Sequence, residues 1–326
     1  MRTDFWRVSV IKDFRNLVEQ AVGRGRRTVA IAAAEDAEVI EAVRAASVLG
    51  LADAILVGDR SLILALSGEG GLPATARVVD LPDQGAAALE AARLVRSGEA
   101  DVLMKGAINS SDFLKAALDR ESGLRTGGLL SHLAAFEIPG EDKLVFQSDG
   151  GMNVAPALAE KRQILVNAVR ALNRLGLPEP KVAVLAANEQ VNPKVSSTTD
   201  AAALVADWKA GAFPPCVVEG PIAFDVATSA EAARHKGLES RIAGETDLFL
   251  MPNIESGNIM GKLLIRYAKA RMAGIVLGAK NPIVLVSRAD DAAAKIHSIA
   301  LACLVAGDVA TSEPGLGKTN SRETAT

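Results

Sequence analysis

The stretch that decides the fold covers residues 248–303 and reads LFLMPNIESGNIMGKLLIRYAKARMAGIVLGAKNPIVLVSRADDAAAKIHSIALAC. Two short apolar runs, residues 248–251 and 283–286, each stop on polar residues, and a helical pattern follows each of them. The order of strand, polar loop and helix is therefore written twice. In an open parallel sheet, ligands bind outside the carboxyl ends of the strands, so both loops are candidate parts of a binding site.

The second of these loops carries the residues best suited to an anion. Arg288 follows Ser287, and its guanidinium offers a fixed fork of donors that matches phosphate or carboxylate oxygens. Asp290 is the predicted N-cap of the next helix, with Asp291 in its first turn. Spacing alone leaves one alternative open, in which both aspartates only cap the helix and Arg288 forms an ion pair.

The composition indicates an α/β protein of two domains. The chain has 326 residues, of which 49% are hydrophobic but only 3% are aromatic, so Ala, Val, Leu and Ile must fill the core. Such a core is typical of buried parallel strands covered by helices. The net charge of −3 lacks the basic footprint of a protein that binds nucleic acid.

Several functional classes are not favoured by the sequence. No apolar run approaches the roughly 18 residues that span a bilayer, and the amino-terminal residues lack the apolar core of a signal peptide. Cys216 and Cys303 belong to no metal-binding spacing, and His132, His235 and His297 are isolated. We expect a soluble, cytoplasmic protein without a structural metal, a disulfide, a membrane or a nucleic-acid partner.

Polar residues also end other predicted strands, in both halves of the chain. One predicted strand ends on Lys105, and a predicted hairpin of strands 129–138 and 143–147 is followed by Asp149. Polar strand ends in both halves favour a cleft between two α/β domains, and the cations Lys105 and Arg288 favour an anionic ligand. The full set is Lys105, Asp149, Asn188, Glu189, Glu219, Asn253, Glu255, Ser287 and Arg288.

Covalent catalysis and nucleotide-binding loops are not indicated. No serine lies in a GxSxG elbow, so positioning and charge stabilisation are the more natural chemistry. The run GLGKT at 315–319 imitates a phosphate loop, but Ser312 stands where its first glycine is required. Residues 312–326 are rich in Ser, Thr, Gly and charge, and we predict that they form a disordered tail.

Six segments resemble one enzyme family, in that family's own order. Over residues 28–306 the sequence resembles the phosphate acetyl/butyryltransferase family, and it is most similar to the phosphate butyryltransferase branch. The segments are DVLMKGAINSSDFLKAAL (101–118), LLSHLAAFEIP (129–139), SDGGMNVAPALAEKRQILVNAV (148–169), LGLPEPKVAVLAANEQVNPKVSSTTDAAAL (175–204), VVEGPIAFDVATSAEAARHKGLESRIAGETDLFLMPNIESGNIMGKLL (217–264) and GAKNPIVLVSRADDAAAKIHSIALA (278–302).

The resemblance implies the architecture and its boundaries. The family's fold consists of two α/β/α domains with mainly parallel sheets and an interdomain cleft, similar to isocitrate and isopropylmalate dehydrogenases. We expect a first domain formed by residues 1–137 and 278–311, and a second formed by residues 138–277. The resemblance also implies a homodimer or a larger homo-oligomer.

The implied reaction is acyl-CoA plus phosphate giving acyl phosphate plus CoA, without a metal or a bound cofactor. Coenzyme A is a substrate, and the acyl group ranges from acetyl to butyryl. The family's Ser-Arg pair matches Ser287 and Arg288, which assigns Arg288 to phosphate or to the developing oxyanion. The predicted catalytic residues are Arg288, Ser287 and Asp290, and the predicted substrate-binding residues are Lys105, Ser131, Asp149, Asn153, Asn253, Glu255 and Asn258.

The sequence departs from the acetyl branch at the position of the catalytic base. That branch has a catalytic aspartate six residues after the arginine, and Ala294 stands there in this chain. His132 lies in a matching segment, and a structural role is favoured for it. Asn258 and Lys262 either support the cleft or serve packing and capping. Two other functions stay open: a catalytically weak protein that binds CoA or acyl phosphate, and a decarboxylating dehydrogenase of similar fold.

Overall fold

The computed structural model describes residues 11–285 and 291–306, and strands alternate with helices through most of this part of the chain. The elements up to the central hairpin are α1 Phe14–Gly23, β1 Arg27–Ala32, α2 Ala37–Val48, β2 Ala52–Gly58, α3 Arg60–Ser67, β3 Arg77–Asp80, α4 Gln84–Ser97, β4 Val102–Lys105, α5 Ser110–Ala117, β5 Ser131–Glu137 and β6 Val145–Ser148. The remaining elements are α6 Leu158–Arg174, β7 Lys181–Leu185, α7 Ser196–Lys209, β8 Val217–Ile222, α8 Phe224–Thr228, α9 Ala230–His235, β9 Leu248–Leu250, α10 Ile254–Arg266, β10 Arg271–Leu277, β11 Ile283–Val284 and α11 Ala292–Val305.

The strands of the described residues form one sheet in the order β3-β2-β1-β4-β11-β10-β5-β6-β9-β7-β8. The first five are parallel to one another, and so are the last four. Between them, β10 pairs antiparallel with both β11 and β5, and β5 pairs antiparallel with β6. The two parallel blocks therefore run in opposite directions. This arrangement confirms the predicted α/β class with a mainly parallel sheet.

Small aliphatic side chains build the two flanks of the sheet. The interior of β1 is fully buried, with Ala30, Ile31 and Ala32 at 0% exposed. Such continuous burial on both faces is what parallel strands covered by helices require. The helices also begin and end at residue types that favour helix ends. Asp36 caps α2 by accepting a hydrogen bond from the Val39 N–H, and Gly98 ends α4 with φ of 85°.

The central hairpin is confirmed, whereas two strands are not predicted by the sequence. Ala134 of β5 pairs with Gln147 of β6, as the two apolar runs around a Pro-Gly turn indicate. Strand β3 is a short, partly exposed edge strand with weak patterning. Strand β10 begins soon after α10, whose helical periodicity conceals the change to an extended conformation.

The N-cap of α11 is Asp291, so the prediction that Asp290 caps this helix is wrong by one residue. The Asp291 Oδ1 accepts a hydrogen bond from the Ala294 N–H at 2.8 Å. Asp290 itself lies outside the described residues, as do Ser287, Arg288 and the predicted tail. The domain boundaries stay a prediction, and the proposed division after residue 137 falls between β5 and β6 of the continuous sheet.

Candidate active site

A cavity of about 340 Å³ lies over the centre of the sheet, where the strand direction reverses. Its floor comes from β5, β6 and β10, and α10 forms one wall. Helix α10 approaches closely because glycines meet there: a methyl group on Gly257 would lie 2.6 Å from the Gly150 Cα. Leu285 after β11 and Ala294 in α11 line the opposite side. The cavity therefore collects segments that are far apart in sequence.

His132 lies on the floor of the cavity between two glycines. A methyl group on Gly274 would lie 2.7 Å from His132 Nε2, and one on Gly151 would lie 3.1 Å from His132 Cγ. The imidazole fits only because both neighbours lack a side chain. Burial lowers the pKa of His132 below 6.5, and the nearby Asp149 carboxylate opposes that shift. Among the described residues, the imidazole has no hydrogen-bond partner.

Gln147 is a buried polar residue on the same floor, with 2% of its surface exposed. Its Nε2 donates to the Gly257 carbonyl oxygen at 2.9 Å, which fixes the orientation of the amide. Its Oε1 is buried and has no partner within the described part of the chain. An unpaired buried acceptor is costly, by about 1–3 kcal/mol, so its retention indicates a donor supplied by a ligand.

Asp149 and Asn153 hold the loop that follows β6. The Asp149 carboxylate accepts hydrogen bonds from the N–H groups of His132, Gly151 and Met152 at 2.7–2.9 Å, and from Asn153 Nδ2 at 2.7 Å. Asn153 Nδ2 also donates to the Leu130 carbonyl oxygen. Both predicted substrate-binding residues therefore support the cavity floor through contacts within the protein.

Asn258 and Lys262 lie on the wall formed by α10, and both are exposed. Asn258 Nδ2 is 3.5 Å from the Gly150 carbonyl oxygen, which is a weak contact that leaves the amide available. Across from them, Leu285 and Ala294 line the cavity and flank the predicted catalytic residues in sequence. Of the predicted site residues that the structure describes, Asn258 is thus the one that lines this cavity directly.

The other predicted residues lie around the cavity or elsewhere. Lys105 is 4% exposed at the end of β4, and the pairing of Val284 with Met104 places Leu285 level with it. Ser131 is fully buried and its Oγ accepts a hydrogen bond from Asn167 Nδ2 at 3.0 Å.

Two more of the predicted substrate-binding residues, Asn253 and Glu255, lie at the start of α10. Asn253 caps the helix, with its Oδ1 accepting from the Ser256 N–H at 3.0 Å, and it lines a second cavity of about 760 Å³ at the ends of β7 and β9. Glu255 is exposed in the first turn of the helix. Glu189 and Glu219 line neither cavity and instead accept hydrogen bonds from Lys236 and Ser240, so the residues predicted from strand ends do not meet in one cleft.

The sequence reasoning omits Gln147 and favours a structural role for His132, so it assigns neither residue to the site. Gln147 is a single polar residue within the apolar run LVFQS, and its position inside a strand is the signal that could have identified it. His132 is recognisable only through Gly151 and Gly274, and the latter belongs to the strand that the sequence does not predict. Helix and strand periodicity report which face is buried but not which distant glycines make room for a ring.

The described residues suit an uncharged or anionic small molecule. Within residues 11–285 and 291–306, no three His, Cys, Asp or Glu side chains come together in a way that could hold a metal ion. Across the same part of the chain, none of the helices combines the length and the apolar character needed to cross a bilayer. An imidazole, two amides and an ammonium group around one cavity can orient a polar substrate and move a proton.

Comparison with known proteins identifies the family. Residues 73–303 match the sequence profile of the family described as "Phosphate acetyl/butaryl transferase". The chain belongs to this family. A phosphate butyryltransferase from Clostridium acetobutylicum is 44% identical over 92% of this chain and 100% of its own length. A phosphate acetyltransferase from Thermotoga maritima is 41% identical over 89% of this chain and 98% of its own length.

A solved structure agrees with this assignment. The chain superposes on a branched-chain phosphotransacylase from Enterococcus faecalis V583 with a TM-score of 0.76 and 33% sequence identity. The match covers 86% of this chain and 99% of that one. The resemblance stated from the sequence is therefore confirmed at the level of family and fold.

Proposed function

We propose that this protein is an acyltransferase that moves a short-chain acyl group, from acetyl to butyryl, between CoA and inorganic phosphate. The match to relatives over nearly their whole length supports the reaction class. The observation that carries the proposal structurally is the central cavity, since Leu285 and Ala294, which flank the matched Ser-Arg pair, both line it. Its volume of about 340 Å³ suits the acyl group and the thiol end of CoA.

In the acyl-phosphate direction, a phosphate oxygen attacks the thioester carbonyl carbon and a C–O bond forms. The carbonyl oxygen becomes an oxyanion in the tetrahedral intermediate, and the C–S bond then breaks to release CoA thiolate. We assign Arg288, together with Ser287, to the phosphate or to this oxyanion, because a guanidinium supplies charged, directional donors. Asp290 stays a candidate for proton transfer in the same segment. All three lie outside the described residues.

The structural support for the proposed substrate contacts differs among Lys105, Asn253, Glu255 and Asn258. Asn258 has the strongest support, because it lines the central cavity and its amide is exposed. Lys105 lies beside Leu285 and offers a positive potential near an anionic substrate. Asn253 and Glu255 lie at the start of α10, where Asn253 borders the second cavity. That cavity is a candidate place for parts of CoA remote from the thiol.

The proposed assembly is a homodimer or a larger homo-oligomer, and the proposed location is the cytoplasm. Large apolar side chains on α10 support self-association, because Ile259 is 56% exposed, Leu263 is 50% exposed and Tyr267 just beyond the helix is 78% exposed. Light scattering after size-exclusion chromatography tests this point, and a monomer at micromolar concentration would contradict it.

Thiol release tests the function. Purified protein is mixed with phosphate and, separately, with acetyl-CoA, propionyl-CoA and butyryl-CoA, and free CoA is followed. Phosphate-dependent release is the expected result, and the ranking of rates gives the preferred chain length, for which one methylene contributes about 1–3 kcal/mol. Folded protein that binds CoA without releasing it from any of the three would instead support a binding protein.

The role of Arg288 is tested in the same assay. Arg288→Ala should lower turnover by roughly 10²–10³-fold, as expected for the loss of one oxyanion donor, and should leave the fold intact. Arg15→Ala is the matched control, because Arg15 is an exposed arginine whose partner is Glu19 one turn along α1. Unchanged turnover in Arg288→Ala would remove this residue from the mechanism.

A further inference from the structure

The central cavity contains one described side chain that can accept a proton. Its lining includes two titratable groups among the described residues, His132 and Lys262. An exposed lysine ammonium is a donor without a lone pair, whereas a neutral imidazole has an acceptor nitrogen. Ala294, at the position of the acetyl-branch aspartate, lines the same cavity. The place from which that aspartate would act is therefore within the space that His132 faces.

The surroundings of His132 resemble a prepared site more than a packed core. The ring lies in a slot between Gly151 and Gly274 and is partly exposed to the cavity. A buried core histidine normally has its polar atoms satisfied within the protein, yet no described residue hydrogen-bonds to this imidazole. Beside it, the buried Oε1 of Gln147 also lacks a hydrogen-bond partner within residues 11–285 and 291–306. His132 and Gln147 both line the cavity, and each can accept a hydrogen bond that no described residue supplies.

We propose that His132 is the catalytic base of the acyl transfer and that Gln147 Oε1 accepts a hydrogen bond from the same substrate. The proposal rests on the proposed function. When CoA is acylated, the imidazole takes the thiol proton while sulfur attacks the carbonyl carbon of the acyl phosphate. A C–S bond forms and the C–O bond to phosphate breaks. The imidazolium then gives its proton to the departing phosphate, so the histidine ends neutral and the reverse reaction uses the same groups.

The charges around His132 set the expected pH dependence. Asp149 faces it from the loop after β6, with its Oδ2 accepting from the His132 backbone N–H at 2.9 Å. Lys262 faces the cavity from α10, and neither β10 nor α11 contributes a charged group to the described lining. The effect of burial exceeds that of Asp149, so the pKa of His132 lies below 6.5 and the imidazole is neutral at pH 7. Activity should fall as the pH drops through this lowered pKa.

The test uses His132→Ala and His132→Asn in the thiol-release assay, with CoA binding measured in parallel. We expect kcat to fall by roughly 10²–10⁴-fold in both variants while CoA affinity stays within a few-fold of wild type. Added imidazole should restore turnover to His132→Ala, because the slot between Gly151 and Gly274 is then empty. The acid limb of the pH profile should disappear in His132→Asn. His297→Asn is the control, since His297 is a half-buried histidine that does not line this cavity.

The outcomes separate the two proposals. Wild-type protein without phosphate-dependent release would overturn the proposed function, and the base with it. Active wild type together with active His132 variants would overturn only the base. Loss of activity that imidazole does not restore, with an unchanged pH profile in the residual activity of His132→Asn, would show a structural role for His132 and would also overturn the proposal.

Discussion

The flanks and the centre of the sheet differ in the side chains that they bury. On the flank, β1 buries Ala30, Ile31 and Ala32, and its polar groups are the backbone pairs of the ladder. At the centre, the buried side chains include Gln147, Ser148 and Asp149 on consecutive positions of β6 and its end. The interior of β1 thus serves packing. Polar residues are tolerated at the centre because the site lies there.

The reversal of strand direction explains why the site is central. Helix α10 follows β9 and runs back over β6 and β5, while β11 points the other way and delivers Leu285 to the same cavity. Elements from two oppositely directed blocks can meet only near their boundary. The antiparallel strands β5 and β10 form that boundary, and their glycines and small residues leave room for a ligand.

The largest effect on stability is expected from Asp149→Ala. The change removes the buried acceptor of four hydrogen bonds and leaves three partly buried backbone N–H groups without it, which should lower the free energy of unfolding by about 3 kcal/mol. Urea denaturation measures the change. Asp142→Ala, an exposed aspartate in the β5–β6 connection, should stay within about 0.5 kcal/mol of wild type. Equal losses of unfolding free energy in both variants would show that the stability of the centre does not depend on the Asp149 carboxylate.

The next largest effect should be on turnover, in Gly274→Ala. The new methyl group would lie 2.7 Å from His132 Nε2, so the imidazole must move, and a displacement of about 1 Å can cost roughly 10²-fold in rate. Gly23→Ala is the control glycine, with no atom within 4 Å of the added methyl group. Steady-state kinetics and thermal unfolding separate a moved base from a weakened fold. Unchanged kcat would show that the position of His132 does not matter to the reaction.

The sequence predicts the flanks better than the centre, for a physical reason. Strand β1 and helix α4 follow from local periodicity and from caps such as Asp36 and Gly98, because each depends on neighbours in the chain. The family and its reaction follow from the matched segments. The cavity depends instead on close approaches between distant residues, such as Gly150 with Gly257, which no local pattern encodes. For the same reason no local pattern reveals that the Asp149 carboxylate accepts four hydrogen bonds around its loop, and its predicted role as a substrate ligand stays a prediction.

A smaller effect, on the pH dependence of stability, is expected from His297, a half-buried histidine outside the central cavity. His297 stacks on Phe14 with ring centroids 4.3 Å apart, and burial together with Arg271 lowers its pKa to about 4, against the opposing charges of Glu137 and Asp291. Between pH 6.5 and about 4 the unfolded chain binds a proton that the folded chain does not, so stability falls as the pH is lowered through this window.

Replacing the ring tests that assignment. His297→Phe keeps an aromatic partner for Phe14 and removes the titrating group, so unfolding midpoints measured from pH 7 to pH 4 should depend less on pH than in wild type. Turnover at pH 7 should be close to wild type, because His297 lies outside the central cavity. An unchanged pH dependence of stability would show that folding does not lower the pKa of His297.

The smallest effect is expected on the flank, from Ile31→Val. Ile31 is fully buried in β1, and removing one methylene there should lower the free energy of unfolding by about 0.5–1.5 kcal/mol. Turnover should not change, because Ile31 does not line the central cavity. Urea denaturation and thiol release on the same preparation measure both quantities. A loss of activity larger than the loss of stability would mean that packing on the flank sets the geometry of the centre, and the division between the two regions would then fail.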